Sequence, residues 1–220
     1  MKRIFCFVLA LSLICLGLPL ATAQENGPIY VYGGEYAILH SYKGAQGVVE
    51  IPAEYNGYPV KEIREYAFAK NETVEKIILP ETLTKIGYRA FEQCTGLKEI
   101  HIPQSVTQLG ESLFSWCPAL ERVTLPPFLE TFEESMFYMC TALKEVTMPL
   151  SVKTMYGTGA FVGCESLVRV ELPQGIKKLP HRFFSGCSSL QEITLPTGLE
   201  SIEVEAFLSC SSLERIEFPS

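Results

Sequence analysis

Phe91–Pro103 reads FEQCTGLKEIHIP, and Phe184–Pro196 reads FSGCSSLQEITLP. The phenylalanine, cysteine, leucine, isoleucine and proline keep their places while the residues between them change. The same frame returns at Cys94, Cys117, Cys140, Cys164, Cys187 and Cys210, at intervals of 23, 23, 24, 23 and 23 residues. Three residues before each cysteine stands a phenylalanine (Phe91, Phe114, Phe137, Phe161, Phe184, Phe207), and three after it a leucine. Nine after it is always proline. An earlier copy with Phe68, Val74, Ile77, Leu79 and Pro80 places Asn71 where the others have cysteine. A fixed period of this length is the signature of a solenoid, in which each unit buries its apolar face only against its neighbours.

Within each unit the run before the proline alternates. In EIHIP, Ile100 and Ile102 point one way and Glu99 and His101 the other, which is the period of a half-buried strand. Proline ends it because it has no N–H for the next ladder bond. A second apolar pair lies three and six residues after the proline, as in Leu83 and Ile86 or Val106 and Leu109. That spacing predicts a turn and a short helical or 3-10 segment returning to the cysteine. The expected fold is therefore an α/β repeat solenoid with one short parallel strand per unit.

The pattern AFxxCxxLxxIxxP, carried by seven copies from about Val48 to Ser220, resembles the BspA-like type of bacterial leucine-rich repeat protein. The resemblance implies a leucine-rich repeat fold whose sheet face binds protein partners, for example a host extracellular protein or another bacterial surface component. Residues 24–58 are read as an N-terminal cap, built as a strand hairpin or degenerate repeat, and 59–220 as the solenoid. No C-terminal cap is evident, so the last strand is expected to leave an edge open to end-to-end self-association.

Residues 1–23 read as a secretory signal peptide. Lys2 and Arg3 precede an apolar run from Ile4 to Leu20, and Ala21-Thr22-Ala23 offers a cleavage site. Cys6 and Cys15 follow Phe5 and Ile14, not the small residues that lipoprotein processing uses. The expectation is a cleaved product that is not a lipoprotein, has no stable membrane span, and is secreted, periplasmic or held at the cell surface. Its net charge of −9 (16 basic against 25 acidic residues) disfavours nucleic acid. Every acidic residue is glutamate, which removes Asp-rich calcium loops and an Asp-based triad.

The regular cysteines pose the main choice. As rungs they are small buried side chains filling the turn before each strand, and Asn71 fits the same slot because it caps turns. Disulfides are the rival reading, since stacking sets neighbouring rungs ~4.8 Å apart, within bridging range. Equivalent side chains point the same way, however, whereas a bridge needs them to converge. A straight row gives no tetrahedral metal site, and six equivalents single out no nucleophile. No cofactor is implied.

Function is sought at positions that the repeat does not dictate. Five residues after the rung, Lys76, Glu99, Arg122, Glu145, Arg169, Glu192 and Arg215 alternate in sign, a charge ladder that favours correct register. Seven after it, His101, Thr124 and Thr147 lie on the open sheet face. In the middle copies Trp116, Tyr138 and Met139 stand just before the rung, Pro127, Phe128 and Leu150 follow the strand, and Tyr156 sits in the 24-residue unit. Aromatic and Met side chains at polar repeat positions suit an interface core. These are the candidate partner-binding residues. Glu133-Glu134 and Glu203/Glu205 are the carboxylates that a competing reading, an enzyme acting on surface carbohydrate, would use.

Overall fold

The computed structural model describes residues 27–217. The segment read as a signal peptide and the last proline of the frame, Pro219, lie outside the described residues. The chain begins with the antiparallel pair β1 (Ile29–Tyr32) and β2 (Ala37–Ser41), followed by β3 (Gly47–Glu50), β4 (Glu54–Tyr55) and β5 (Tyr58–Ile63). Longer strands then alternate with two-residue ones: β6 (Val74–Ile78), β7 (Lys85–Ile86), β8 (Glu99–His101), β9 (Gln108–Leu109), β10 (Arg122–Thr124) and β11 (Thr131–Phe132). The same alternation continues through β12 (Glu145–Thr147), β13 (Thr154–Met155), β14 (Arg169–Glu171), β15 (Lys178–Leu179), β16 (Glu192–Thr194), β17 (Ser201–Ile202) and β18 (Arg215–Glu217).

The even-numbered strands from β6 onward and β3 form one parallel sheet in the order β18-β16-β14-β12-β10-β8-β6-β3. These are the strands read from the EIHIP alternation, and Val123, Val146, Val170 and Ile193 point into the core beneath them. The second apolar pair after each proline does not lead straight into a return segment. Ile86, Leu109, Phe132, Met155, Leu179 and Ile202 each close a two-residue strand, so every unit carries two strands instead of one. This second sheet is interrupted: β1-β2-β5-β7-β9, then β11-β13, then β15-β17. Where it is continuous, glycine permits close approach, since a Cβ on Gly110 would stand 2.3 Å from the Tyr88 nitrogen. Glu133 occupies the equivalent place at the first break. At the second stands Pro180, which has no N–H to donate across the gap.

No helix occurs among the described residues, which corrects the helical or 3-10 return segment. The physical reason lies in where the N–H groups go. Between Tyr66 and Asn71, the N–H of Ala67, Ala69 and Asn71 bonds three residues back within the turn. The intervening Tyr66, Phe68 and Lys70 donate to Tyr88, Ala90 and Glu92 of the next coil, at 3.1, 2.9 and 2.8 Å. A helix would send all of them to its own chain. Such alternation needs left-handed backbone twice per coil. Five residues before the rung φ is 51–61° at Tyr66, Arg89, Ser112, Ser135, Gly159, Arg182 and Glu205. One before it φ is 56–78° at Lys70, Gln93, Trp116, Met139, Gly163, Gly186 and Ser209.

Inside, Phe68, Phe91, Phe114, Phe137, Phe161, Phe184 and Phe207 stack one per coil with ring centroids 5.4–5.7 Å apart. Burying each such ring stabilises the fold by roughly 1.5–3 kcal/mol. At the N-terminal end, residues 37–50 already form a coil, with β2 beside β5 and β3 beside β6. Asn56-Gly57 turns β4 into β5, and both residues have positive φ (52° and 79°), the geometry of a two-residue hairpin turn. Tyr30 stacks on Tyr55 at 4.2 Å and Tyr32 meets Tyr58 edge-on at 5.1 Å, clasping the first hairpin to this one.

Candidate functional site

The rung position faces inward. Cys94, Cys117, Cys140, Cys164 and Cys187 are fully buried, Cys210 is half-buried, and all six are free thiols. Each Sγ–H donates to the carbonyl of the phenylalanine in the preceding coil: Cys94 to Phe68 at 3.3 Å, Cys117 to Phe91 at 3.1 Å, Cys140 to Phe114 at 3.0 Å. Cys164, Cys187 and Cys210 repeat this toward Phe137, Phe161 and Phe184 at 3.2, 3.2 and 3.1 Å. The sulfurs are thus directed at backbone oxygens and not at one another. Burial pushes the Cys94 and Cys140 thiols up to about 12 and raises those of Cys117, Cys164 and Cys187 strongly, so a nucleophilic thiolate is disfavoured.

Asn71 fills the slot where the preceding coil offers different carbonyls. Its Nδ2 donates to Lys43 and Ala45 oxygens at 3.2 and 2.9 Å, while its Oδ1 accepts from the Thr73 and Val74 N–H groups at 3.0 and 2.8 Å. A thiol cannot make those four contacts. Thr73 Oγ1 also binds Ala45 O, so both ends of the Asn71-Glu72-Thr73 sequon are engaged in the fold.

Outward, the main sheet aligns the ladder in register: Lys76 beside Glu99, Glu99 beside Arg122, Arg122 beside Glu145, and so on to Arg215. Glu99 holds both Lys76 (2.6 Å) and Arg122 (3.2 Å), which keeps its carboxyl below the ordinary range. Arg169 reaches Glu192 at 3.8 Å. One position earlier, Glu75 pairs with Lys98 at 2.7 Å and Glu121 with Lys144 at 2.9 Å. The second sheet carries its own ladders, Glu62–Lys85, Glu130–Lys153 and Glu200–Lys177 at 3.0, 3.4 and 3.3 Å. Sequence reasoning missed these pairs, although aligning the copies from the proline onward would have placed the last two in neighbouring units; the insertion at Asn56-Gly57 hides the first. His101, Thr124 and Thr147 stand side by side on the exposed main-sheet face.

The apolar candidates fall into separate groups. Trp116 and Tyr138 contact each other with ring centroids 5.7 Å apart, and the Trp116 N–H donates to the Tyr138 carbonyl at 2.7 Å. Met139 lies over Gly163, where a Cβ would stand 2.4 Å from its sulfur. These three form one corner of the solenoid, just before the main sheet. Trp116 is 46% exposed there. Pro127, Phe128 and Leu150 lie at the opposite edge of that sheet, after the strands, with Phe128 and Leu150 71% and 76% exposed. Tyr156 lies beyond the second sheet, next to the extra residue of the 24-residue unit, Gly157. The structure does not gather these residues into a single patch.

The carboxylates proposed for hydrolysis have other partners. Glu203 binds Lys178 and the His181 N–H, and Glu205 binds Arg182, which holds both carboxyls below the ordinary range. Glu133 and Glu134 accept from Thr131 and Thr158 hydroxyls at 2.8 and 3.1 Å. Among the described residues no group of His, Cys, Asp or Glu is placed to hold a metal ion, and no helix is long and apolar enough to cross a membrane.

The family model described as BspA type leucine rich repeat region (6 copies) matches residues 61–158 and 154–220. No curated protein matches the chain. Among solved structures, the T. pallidum leucine rich repeat protein is 30% identical with a TM-score of 0.77, over 84% of this chain and 87% of that one. A leucine-rich repeat protein from Bacteroides ovatus is 36% identical with a TM-score of 0.80, over 88% of this chain but only 52% of its own length. The chain therefore spans about half of that relative. The pneumococcal vaccine antigen PcpA, 19% identical with a TM-score of 0.53, shares the fold.

Proposed function

The chain belongs to the BspA type leucine rich repeat family, and from that premise we propose that it is an extracytoplasmic protein-binding module that uses its solenoid surface for adhesion to a macromolecular partner. The observation that carries this reading is the Trp116–Tyr138–Met139 corner. The residue before each rung must adopt left-handed backbone, which costs a non-glycine residue roughly 1–2 kcal/mol. Two coils relieve this with Gly163 and Gly186, yet another sets an indole there and leaves it half-exposed. A side chain held in an unfavourable conformation and not buried contributes little to the core. Trp and Tyr are the residue types that dominate binding energy at protein interfaces.

The sequence supports export through residues 1–23, and the likeness to PcpA, a pneumococcal vaccine antigen by its description, is compatible with a surface setting. The hydrolase reading gains no support from carboxylates already held by Lys178, Arg182, Thr131 and Thr158. The test is a surface-plasmon-resonance screen of the mature chain against a panel of extracellular matrix and bacterial surface proteins. At least one binder is expected, and Trp116→Ala with Tyr138→Ala should weaken it by ten-fold or more, about 1.4 kcal/mol. Binding that survives both substitutions would sink the assignment to this corner.

A further inference from the structure

A different face carries a more specific message. The main sheet is in full register on both sides of one junction: β10 with β12 and β14 with β16 each align three residue pairs. Between β12 and β14 only Glu145 and Arg169 remain paired. Beyond that pair the ladder is not continued, and the outer face holds a depression of about 890 Å³ over β12, β14 and β16. Its walls include Leu150, 76% exposed, where the other coils have polar or charged residues or Pro127, and Val168, 43% exposed, where every other coil has a polar or charged residue.

The charges in this depression are unequally used. Its two cations are already engaged, Lys144 by Glu121 at 2.9 Å and Arg169 by Glu192 at 3.8 Å. Glu145 and Glu171 are exposed in the depression and, among the described residues, make no salt bridge. A second depression on this sheet, over β6, β8 and β10, differs, because its one carboxylate, Glu99, is held by both Lys76 and Arg122. One ladder carboxylate, Glu145, and one from the neighbouring outward row, Glu171, are therefore open beside exposed apolar side chains.

We propose that this depression binds an extended peptide segment of a protein partner in which basic and apolar residues take turns at every second position, so that both kinds lie on the face turned to the sheet, with lysine or arginine on Glu145 and Glu171 and the apolar side chains against Leu150 and Val168. An extended strand presents alternate side chains to one surface, so its spacing suits a floor made of parallel strands. Charge complementarity selects a cationic segment over an acidic one. The inference rests on the reading of the chain as a protein-binding module, but it uses a surface separate from the Trp116 corner.

The test titrates a fluorescein-labelled peptide that repeats Lys-Ser-Val-Ser, which sets lysine and valine on one face of an extended chain, into the mature protein and follows anisotropy, with the same repeat carrying glutamate in place of lysine as comparison. The lysine peptide is expected to bind and the glutamate peptide not to. Glu145→Gln with Glu171→Gln should weaken binding about fivefold, as two exposed ion pairs would. Glu72→Gln with Glu81→Gln makes the same change in net charge several coils away and should leave binding intact, as should Trp116→Ala. Thermal melts of each variant establish that it is folded. No binding by the lysine peptide, or equal loss in the two glutamine pairs, overturns the proposal. So does a neutral glucan competing at Glu145 and Glu171, or a dimer dispersed by Leu150→Ser. Peptide binding that persists while the protein screen fails to register Trp116 would retain this site and discard the corner.

Discussion

The rung residue and the residue just before it are neighbours in the chain and opposites in the structure. Seven coils put a small side chain at the rung, six cysteines and Asn71, each hydrogen-bonded to the coil before it. The same coils put Lys70, Gln93, Trp116, Met139, Gly163, Gly186 and Ser209 one position earlier, all on left-handed backbone. The inner position is fixed by volume and by a carbonyl that needs a donor. The outer position is fixed in φ alone, so its side chain is free to vary. What stands there is therefore informative about something other than the fold.

Alkali separates the two positions with the largest expected effect. The unfolded chain releases thiol protons near the ordinary value of 9.0, whereas the folded chain retains them well above it. Groups whose folded value is raised lend stability below the unfolded value, and that stability is lost as pH rises through the window above it. Each fully buried thiol should contribute a slope of about 1.4 kcal/mol per pH unit there. Urea midpoints measured under reducing conditions should fall steeply above pH 9.0, and Cys140→Ala should make the fall shallower while lowering stability at neutral pH. A flat profile to high pH would mean that the thiols are not buried as a row.

The outer ladder is expected to give a much smaller effect. Glu99→Lys sets three cations in line with Lys76 and Arg122, and should lower the melting temperature slightly at low salt and hardly at all in about 1 M NaCl, where screening is nearly complete. The acid side has the opposite sign from the thiols. The Glu99 carboxyl lies below its ordinary 4.5, so its contribution is present above that value and fades as pH falls through the lower folded one. A salt-independent loss would place Glu99 in a structural role beyond charge.

Much of this architecture was legible in the repeat. The interval of the cysteines, the alternation in EIHIP and the proline after it define the main sheet and its register. The two-residue strands were not legible, because two residues carry no periodicity. The return segment was misread for a related reason: apolar residues three apart suit any tight turn as well as a helix. The left-handed positions that rule out the helix are marked by glycine only at Gly159, Gly163 and Gly186. Trp116 and Met139 stood out as departures from the frame. The depression at Glu145 and Glu171 did not, since it depends on where the ladder pairing lapses and on which neighbours Lys144 and Arg169 choose.

The fold does not require the indole at the outer position, and Trp116→Gly tests this without any knowledge of a partner. Glycine relieves the left-handed backbone while adding freedom to the unfolded chain, and the two effects nearly cancel. Equilibrium denaturation should leave the stability within about 1 kcal/mol of the parent protein. A loss on the order of 3 kcal/mol, the scale of removing a core aromatic, would show that Trp116 belongs to the packing of the solenoid and would contradict the account.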